Sequence, residues 1–324
     1  MTRVAAVDCG TNSVRLLIAD VGDRLIDLER RMEIVRLGQG VDQTGMLSAE
    51  ALDRTFSAMR CYAKQIEEYR AERVRVVATS ATRDAANRAE FVDGVIDIFG
   101  VEPEVITGDE EAGLSFAGAT REFAGTTREL TAPRPPKPYL VADIGGGSTE
   151  FVFGGAEMEA AVSVDIGCVR MTERHLRGDP PTPEQIAAAV ADIDAALATV
   201  RRSVPVDRAR TLVGLAGSVT TVAGIALGLP EYDPGRIHLA RITGTQVHDI
   251  TRMLLHSTHE ERASIGVMHP GRVDVIGAGA LILDRIIREY GFGAVVASEH
   301  DILDGLAWSL AGQTGSTARP GSAG

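Results

Sequence analysis

Two stretches of this chain share one pattern: Asp8-Cys9-Gly10-Thr11-Asn12-Ser13 and Asp143-Ile144-Gly145-Gly146-Gly147-Ser148-Thr149. Each follows a short apolar run, at residues 4–7 and 139–142. Each carries Asp-x-Gly and then hydroxyl side chains, and each leads into a second β-rich run. A unit repeated once per half of a chain signals a duplication. Strands and helices mix in both halves, so the fold class is α/β, with two lobes of duplicated topology facing a central cleft.

Working outward from the first copy, residues 14–19 read as a strand and a third strand starts near Leu25. Ser48 is placed to cap a long helix whose apolar residues Leu52, Phe56, Met59, Ile66 and Tyr69 share one face. Residues 74–78 are β-rich, residues 84–99 helical and closed by Gly100, and Asp109 is expected to cap a helix to about residue 121. Residues 124–138 hold Pro133, Pro135, Pro136 and Pro138 and cannot continue a helix or a central strand, which puts the domain boundary there. Around the second copy, strands are expected at 151–153, 160–164, 212–215 and 294–297. Helices are expected from Thr182-Pro183-Glu184, over 245–256 and over 273–290. Ser298 reads as the cap of a final helix with Asp301 three residues on. The division is therefore 1–123 for the first lobe, joined by the C-terminal helix 298–312, then 124–297 for the second, with 313–324 a flexible tail.

The chain has 324 residues, 44% of them hydrophobic and 24% charged, and a formal net charge of −12. That is the balance of a globular protein of about two domains. The acidity argues against nucleic acid as a partner, since nucleic-acid binding leaves a basic footprint. Only Lys64 and Lys137 are lysines, and neither stands in a GxxxxGK[ST] context, so a P-loop is excluded. No apolar segment approaches the ~20 residues of a membrane span, and no leader pattern opens the chain. Cys9, Cys61 and Cys168 form no CxxC, which fits neither a disulfide framework nor a zinc site, and a reducing cytoplasm is the expected home.

The two turns are candidate phosphate cradles. In each, glycines (Gly10; Gly145, Gly146, Gly147) let backbone N–H groups approach a phosphate, and Thr11, Ser13, Ser148 and Thr149 add donors. An aspartate beside a phosphate is sensible when it holds a divalent cation. A single copy could be a plain glycine-rich hairpin; two at matched positions weigh against that. The sequence Gly214-Leu215-Ala216-Gly217-Ser218 offers a third contact at a helix N-terminus, with Gly217 and Ser218 nearest the phosphate. Arg83 could clamp phosphate oxygens in a fork. Three acids, Asp109, Glu110 and Glu111, open a helix; the bland account is dipole complementarity, and the sharper one makes one of them the base for an attacking water. Glu150, directly after Gly-Ser-Thr, is the second carboxylate. His256 with His259, the His300-Asp301 dipeptide and Gly277-Ala278-Gly279 lack the partners a metal site or a Rossmann fingerprint needs, and Cys9 and Cys168 read as small packed residues.

Taken together, DCGTNSVR (8–15), ATSATRDAAN (78–87), TGDEEAG (107–113), DIGGGSTE (143–150), GCVRMTERHL (167–176), GLAGSVTT (214–221), RVDVIGAGALIL (272–283) and SEHDILDGL (298–306) resemble the exopolyphosphatase / guanosine pentaphosphate phosphohydrolase (Ppx/GppA) family, within the actin-like (RNase H-like) superfamily. The resemblance implies metal-dependent hydrolysis of a terminal phosphoanhydride, releasing orthophosphate from inorganic polyphosphate or from pppGpp. It implies Glu111 and Glu150 as catalytic carboxylates that orient or deprotonate water, and Asp143, Glu150 and Asp8 as holders of Mg2+. Asn12, Ser13, Arg15, Arg83, Gly146, Gly147, Ser148 and Thr149 are then phosphate ligands. Longer members add an HD-type C-terminal domain that helps hold extended polymer; its absence here favours shorter polyphosphates or pppGpp. Members often form homodimers. A phosphotransferase and a non-catalytic phosphate-ligand sensor are the rival classes. The acidity then excludes only broad basic-surface binding and leaves a local, cation-assisted site open.

Overall fold

In a computed structural model, residues 1–124 and 134–312 are described. They form two compact units, Met1–Thr107 with the chain from Ile302, and residues 108–301.

The first unit is built on a five-stranded sheet, β1 (Thr2–Cys9), β2 (Ser13–Val21), β3 (Leu25–Ile34), β4 (Arg73–Ala78) and β5 (Glu104–Val105), in the order β3-β2-β1-β4-β5. β1 to β3 form an antiparallel meander, while β4 pairs parallel to β1 and β5 parallel to β4. A parallel partner requires a crossover, supplied by the helix Ala49–Glu68. Its N-cap Ser48 accepts from Ala51 N, as expected, and Leu52, Met59, Tyr62 and Ile66 are buried. The expected helix 84–99 is instead two, Ser80–Asp84 and Arg88–Phe99, because Asn87 turns its side chain to the backbone of Leu47. The last helix, Ile302–Gly312, packs on this sheet, fastened by Arg30 on Asp304 (2.7 Å), Arg73 on Leu310 O (2.7 Å) and Arg75 on Ser309 (2.7 Å). Ser298 does not cap it: its hydroxyl is occupied within its own turn, on the backbone of His300.

The second unit repeats the plan with six strands: β6 (Tyr139–Ile144), β7 (Thr149–Gly154), β8 (Met158–Val164), β9 (Thr211–Leu215), β10 (Arg241–Thr243) and β11 (Ala294–Ala297), ordered β10-β11-β9-β6-β7-β8. Strand for strand, β6, β7, β8, β9 and β11 repeat the pairings of β1 to β5, and β10 adds an antiparallel edge. β6, β7 and β9 are buried at every residue, as strands covered on both faces must be. The helix Pro183–Ser203 makes the β8-to-β9 crossover and opens with a full capping box between Thr182 and Gln185. The second sheet thus repeats the strand order of the first, the duplication that the repeated turns led us to expect.

The boundary lies earlier than the proline-rich segment suggested. The helix Gly108–Ala124 belongs with the second sheet: Ala112, Phe116, Ala119 and Phe123 bury one face against Tyr139, Val141, Val152, Val213 and Leu215. Burying two phenylalanines there contributes about 1.5–3 kcal/mol each, which decides where the helix docks. Likewise residues 298–301 group with the second unit rather than the first. Most of the expected linker and the expected tail lie outside the described residues.

Candidate active site

Both Asp-x-Gly turns close with the same backbone bond: Gly10 N donates to Ser13 O (3.0 Å), and Gly145 N to Ser148 O (3.1 Å). The ladders therefore place equivalent residues opposite each other, Asp8 against Arg15 and Asp143 against Glu150. Directly opposed residues of an antiparallel pair project from one face with β-carbons about 4.5–5.5 Å apart.

The contents of the two turns differ. In the first unit, Asp8 Oδ2 accepts from Arg15 Nε (2.9 Å) and Nη2 (2.6 Å), a charge-assisted fork with Asp8 almost fully buried. Asp8 and Arg15 are thus joined to each other, where separate cation and phosphate roles were expected. Thr11 Oγ1 lies 2.8 Å from Ser80 Oγ in a buried contact, and Asn12 O accepts from Val35 N and Arg36 N. Arg83 Nη1 donates to Ile106 O (2.9 Å), so this nitrogen braces the backbone just past β5, a departure from the free clamp expected of Arg83. Asn12 and Ser13 remain half-exposed at the tip of the turn.

In the second unit, Asp143 and Glu150 are both carboxylates and both buried, at 8% and 1% exposure. Like charges so placed repel, and burial removes the water that would screen them. The turn is clamped from below. Gly146 O accepts from Val169 N (2.9 Å) and Arg170 N (3.1 Å), and Arg170 Nε donates to Gly147 O (2.7 Å). A β-carbon at Gly167 would stand 2.3 Å from Gly146 O and 2.6 Å from Gly147 N, so only glycine permits this approach. Thr149 Oγ1 donates to Ile166 O, which commits that proton to the fold, whereas it was expected on a phosphate.

The helix Gly108–Ala124 crosses this face. Glu111 is half-buried, while Asp109 and Glu110 point to solvent, so the fold itself selects one acid from the three. Asp109 lies inside the first turn, since the helix already begins at Gly108. Four residues beyond Glu111, on the same side of the helix, Ser115 Oγ donates to Asp143 Oδ2 (2.7 Å). From β8, Ser163 Oγ donates to Glu150 Oε1 (2.7 Å). Neither serine was expected from sequence; the one available signal was the four-residue spacing of Ser115 from Glu111.

The third glycine turn is tighter than expected. The helix Ala216–Ala226 begins straight after β9, with Ala216 at φ 68°, so Ser218 lies within its first turn and is not its cap. Over Gly217 lies a residue the sequence reading did not single out: a β-carbon there would meet the Arg272 guanidinium at 2.3 Å. Ser218 packs on Gly279 and beside Cys168, which ties this turn to the one at Gly145. Cys9 and Cys168 are buried, and burial pushes both thiols up, as packed cysteines behave.

Among the described residues no group of three or more His, Cys, Asp and Glu side chains is arranged to hold a metal ion. A magnesium-type ion does not ask for one, since it takes one or two carboxylates and completes its shell with water and phosphate oxygens. Two buried, opposed carboxylates beside a glycine turn fit such an ion; a softer ion wanting a His/Cys cage does not fit.

A model of the Ppx/GppA phosphatase family matches residues 17–313. Exopolyphosphatase 2 of Mycobacterium tuberculosis is 47% identical over 326 aligned residues, covering 96% of this chain and 99% of that protein. The crystal structure of an exopolyphosphatase-like protein is 43% identical, with a TM-score of 0.90 over 95% of this chain and 97% of that one. An exopolyphosphatase from Cytophaga hutchinsonii is 25% identical and superposes with a TM-score of 0.85, covering 95% of this chain and 97% of its own. With its duplicated sheets, its paired turns and this match over most of its length, the chain belongs to the Ppx/GppA phosphatase family, hydrolases of phosphoanhydride bonds.

Proposed function

We propose that the protein is an exopolyphosphatase, hydrolysing the terminal phosphoanhydride of inorganic polyphosphate and releasing orthophosphate. The observation that carries the reading is the direct opposition of buried Asp143 and Glu150 across a glycine turn, with Glu111 on the helix that crosses it.

In this reading Asp143 and Glu150 hold a divalent cation, Mg2+ in the first instance. When bound, the cation neutralises charge on the phosphoryl oxygens, which a loose phosphoryl-transfer transition state needs more than covalent help. Backbone N–H groups of Gly146 and Gly147, with the Ser148 hydroxyl, orient the terminal phosphate, and Arg272, Gly217 and Ser218 border it, while the Gly145 N–H closes the turn on Ser148 O. Glu111 accepts a proton from water as the water oxygen attacks the terminal phosphorus; the bond to the bridging oxygen breaks, and the shortened chain leaves as the anion. Within the first unit, Asp8 positions Arg15, which with Asn12 and Ser13 makes that unit's own candidate phosphate contacts. The buried cysteines suit a cytoplasmic setting.

The test is phosphate release from short polyphosphate, long polyphosphate and pppGpp side by side, with and without Mg2+. Polyphosphate is expected to be turned over faster than pppGpp and EDTA to stop it. A preference for pppGpp turns the assignment to the family's other activity. ATP formed from polyphosphate and ADP makes the protein a phosphotransferase, and binding without release makes it a sensor.

A further inference from the structure

We infer that Ser115 and Ser163 are positioning residues that hold Asp143 and Glu150 in the rotations a cation needs, and that Ser115 also registers this site against Glu111. The inference rests on the reading of Asp143 and Glu150 as the cation-holding pair.

Ser115 is 0% exposed, on a helix whose neighbouring side chains Ala112, Phe116 and Ala119 are apolar. A buried hydroxyl costs about 1–3 kcal/mol unless it is bonded, and alanine would pack there without that cost. The hydroxyl's partner is one oxygen of Asp143, at 2.7 Å. The terminal torsion of a carboxylate is broad and soft, so a single short bond to one oxygen is enough to set the plane of the group. Ser163 does the same for Glu150, again at 2.7 Å and again to one oxygen. Two carboxylates that would turn away from each other if left alone are thus each held by a neutral donor, which adds no charge to compete with a cation.

The same contacts fix the helix. At its start, a β-carbon on Gly108 would stand 2.5 Å from Ser163 Cβ and 3.0 Å from its Oγ, so the helix end rests on the side chain that holds Glu150. One turn past Glu111, about 6 Å along the axis, Ser115 rests on Asp143. Glu111 lies between these two anchors. A shift of the helix would move the water-activating carboxylate and both orienting hydroxyls together.

Direct Mn2+ binding to the full chain, by calorimetry or electron paramagnetic resonance, tests this without relying on turnover. Ser115→Ala and Ser163→Ala are each expected to weaken Mn2+ binding about 10–100-fold, the usual effect of losing an orienting partner of a metal ligand. Metal-free melting temperatures are expected to stay near that of the parent, and Ser163→Thr, which keeps the hydroxyl at a half-buried site, is expected to restore binding. If parent and both alanine variants bind Mn2+ equally, the inference is overturned while the reading of the site stands. If the parent itself binds no Mn2+, the cation reading of Asp143 and Glu150 falls, and this inference with it.

Discussion

Asp143 and Glu150 face each other across an antiparallel ladder at the position where Asp8 and Arg15 face each other in the other unit. The duplication kept the turn and changed the charge. Where the first unit pairs its aspartate with a guanidinium through Oδ2, the second sets two buried carboxylates side by side, an arrangement that favours a bound cation. Divalent cation is therefore expected to raise the melting temperature of the protein: a ligand at 100 times its Kd adds about 2.7 kcal/mol. Glu150→Gln removes the repulsion and one ligand together. Its metal-free form is expected to be at least as stable as the parent, with the cation-induced rise lost. Thermal melts with Mg2+ and with EDTA read both effects, and an undiminished rise in Glu150→Gln would remove Glu150 from the cation site.

The Asp8–Arg15 fork makes the opposite prediction. Asp8 is 3% exposed, and its Oδ2 takes two bonds from the guanidinium. Arg15→Gln strands a buried carboxylate and is expected to destabilise the protein by about 3 kcal/mol. Adding Asp8→Asn removes that charge and is expected to recover most of the loss, since the two substitutions act on one interaction. Urea denaturation of the single and double variants measures it; simple additivity would show that the two side chains are not coupled.

Gly167 tests the cradle by geometry alone. Alanine there places a β-carbon 2.3 Å from Gly146 O, and backbone cannot yield as a flexible side chain can. The turn at Gly145–Gly147 must shift, and a misplacement of about 1 Å in a positioning element can cost on the order of 100-fold in rate. Gly167→Ala is expected to lose about that factor in kcat/KM for phosphate release while remaining folded by circular dichroism. Unchanged kinetics would show that the amides of this turn do not orient substrate.

What the sequence revealed follows from which interactions are local. The turns were legible because Asp, Gly and Ser lie within six residues of one another, and the duplication because both copies carry the same short signal. Ser115 and Ser163 were not, because each meets its carboxylate only after a helix or a strand has docked, 28 and 13 residues away in the chain. Arg272 stayed hidden for the same reason, its place over Gly217 depending on the packing of two helices. The helix Gly108–Ala124 was assigned to the wrong lobe because its apolar stripe fits any sheet face, and the prolines that follow it mark the end of a helix without saying where that helix docks.

Behind the third turn, Tyr232 Oη lies 2.7 Å from both Thr220 Oγ1 and Glu299 Oε1, and His238, its ring tilted against that of His300, accepts from Glu299 N. Burial holds the Glu299 carboxyl above its ordinary 4.5; Tyr232 as a donor, and His238 and Arg272 as nearby bases, oppose that rise, while Asp301 adds to it. The folded state therefore favours the protonated acid. Its contribution to stability is fully present below the ordinary carboxylate range and is lost as pH rises through the folded value, where the buried side chain ionises. Glu299→Gln keeps the acceptor for Tyr232 and never ionises. It is expected to match the parent in acid and to gain on it as pH rises toward neutrality, in urea denaturation followed from pH 4 to pH 8. A difference that stays constant over that range would mean that Glu299 titrates alike in the folded and the unfolded chain, its neighbours offsetting its burial.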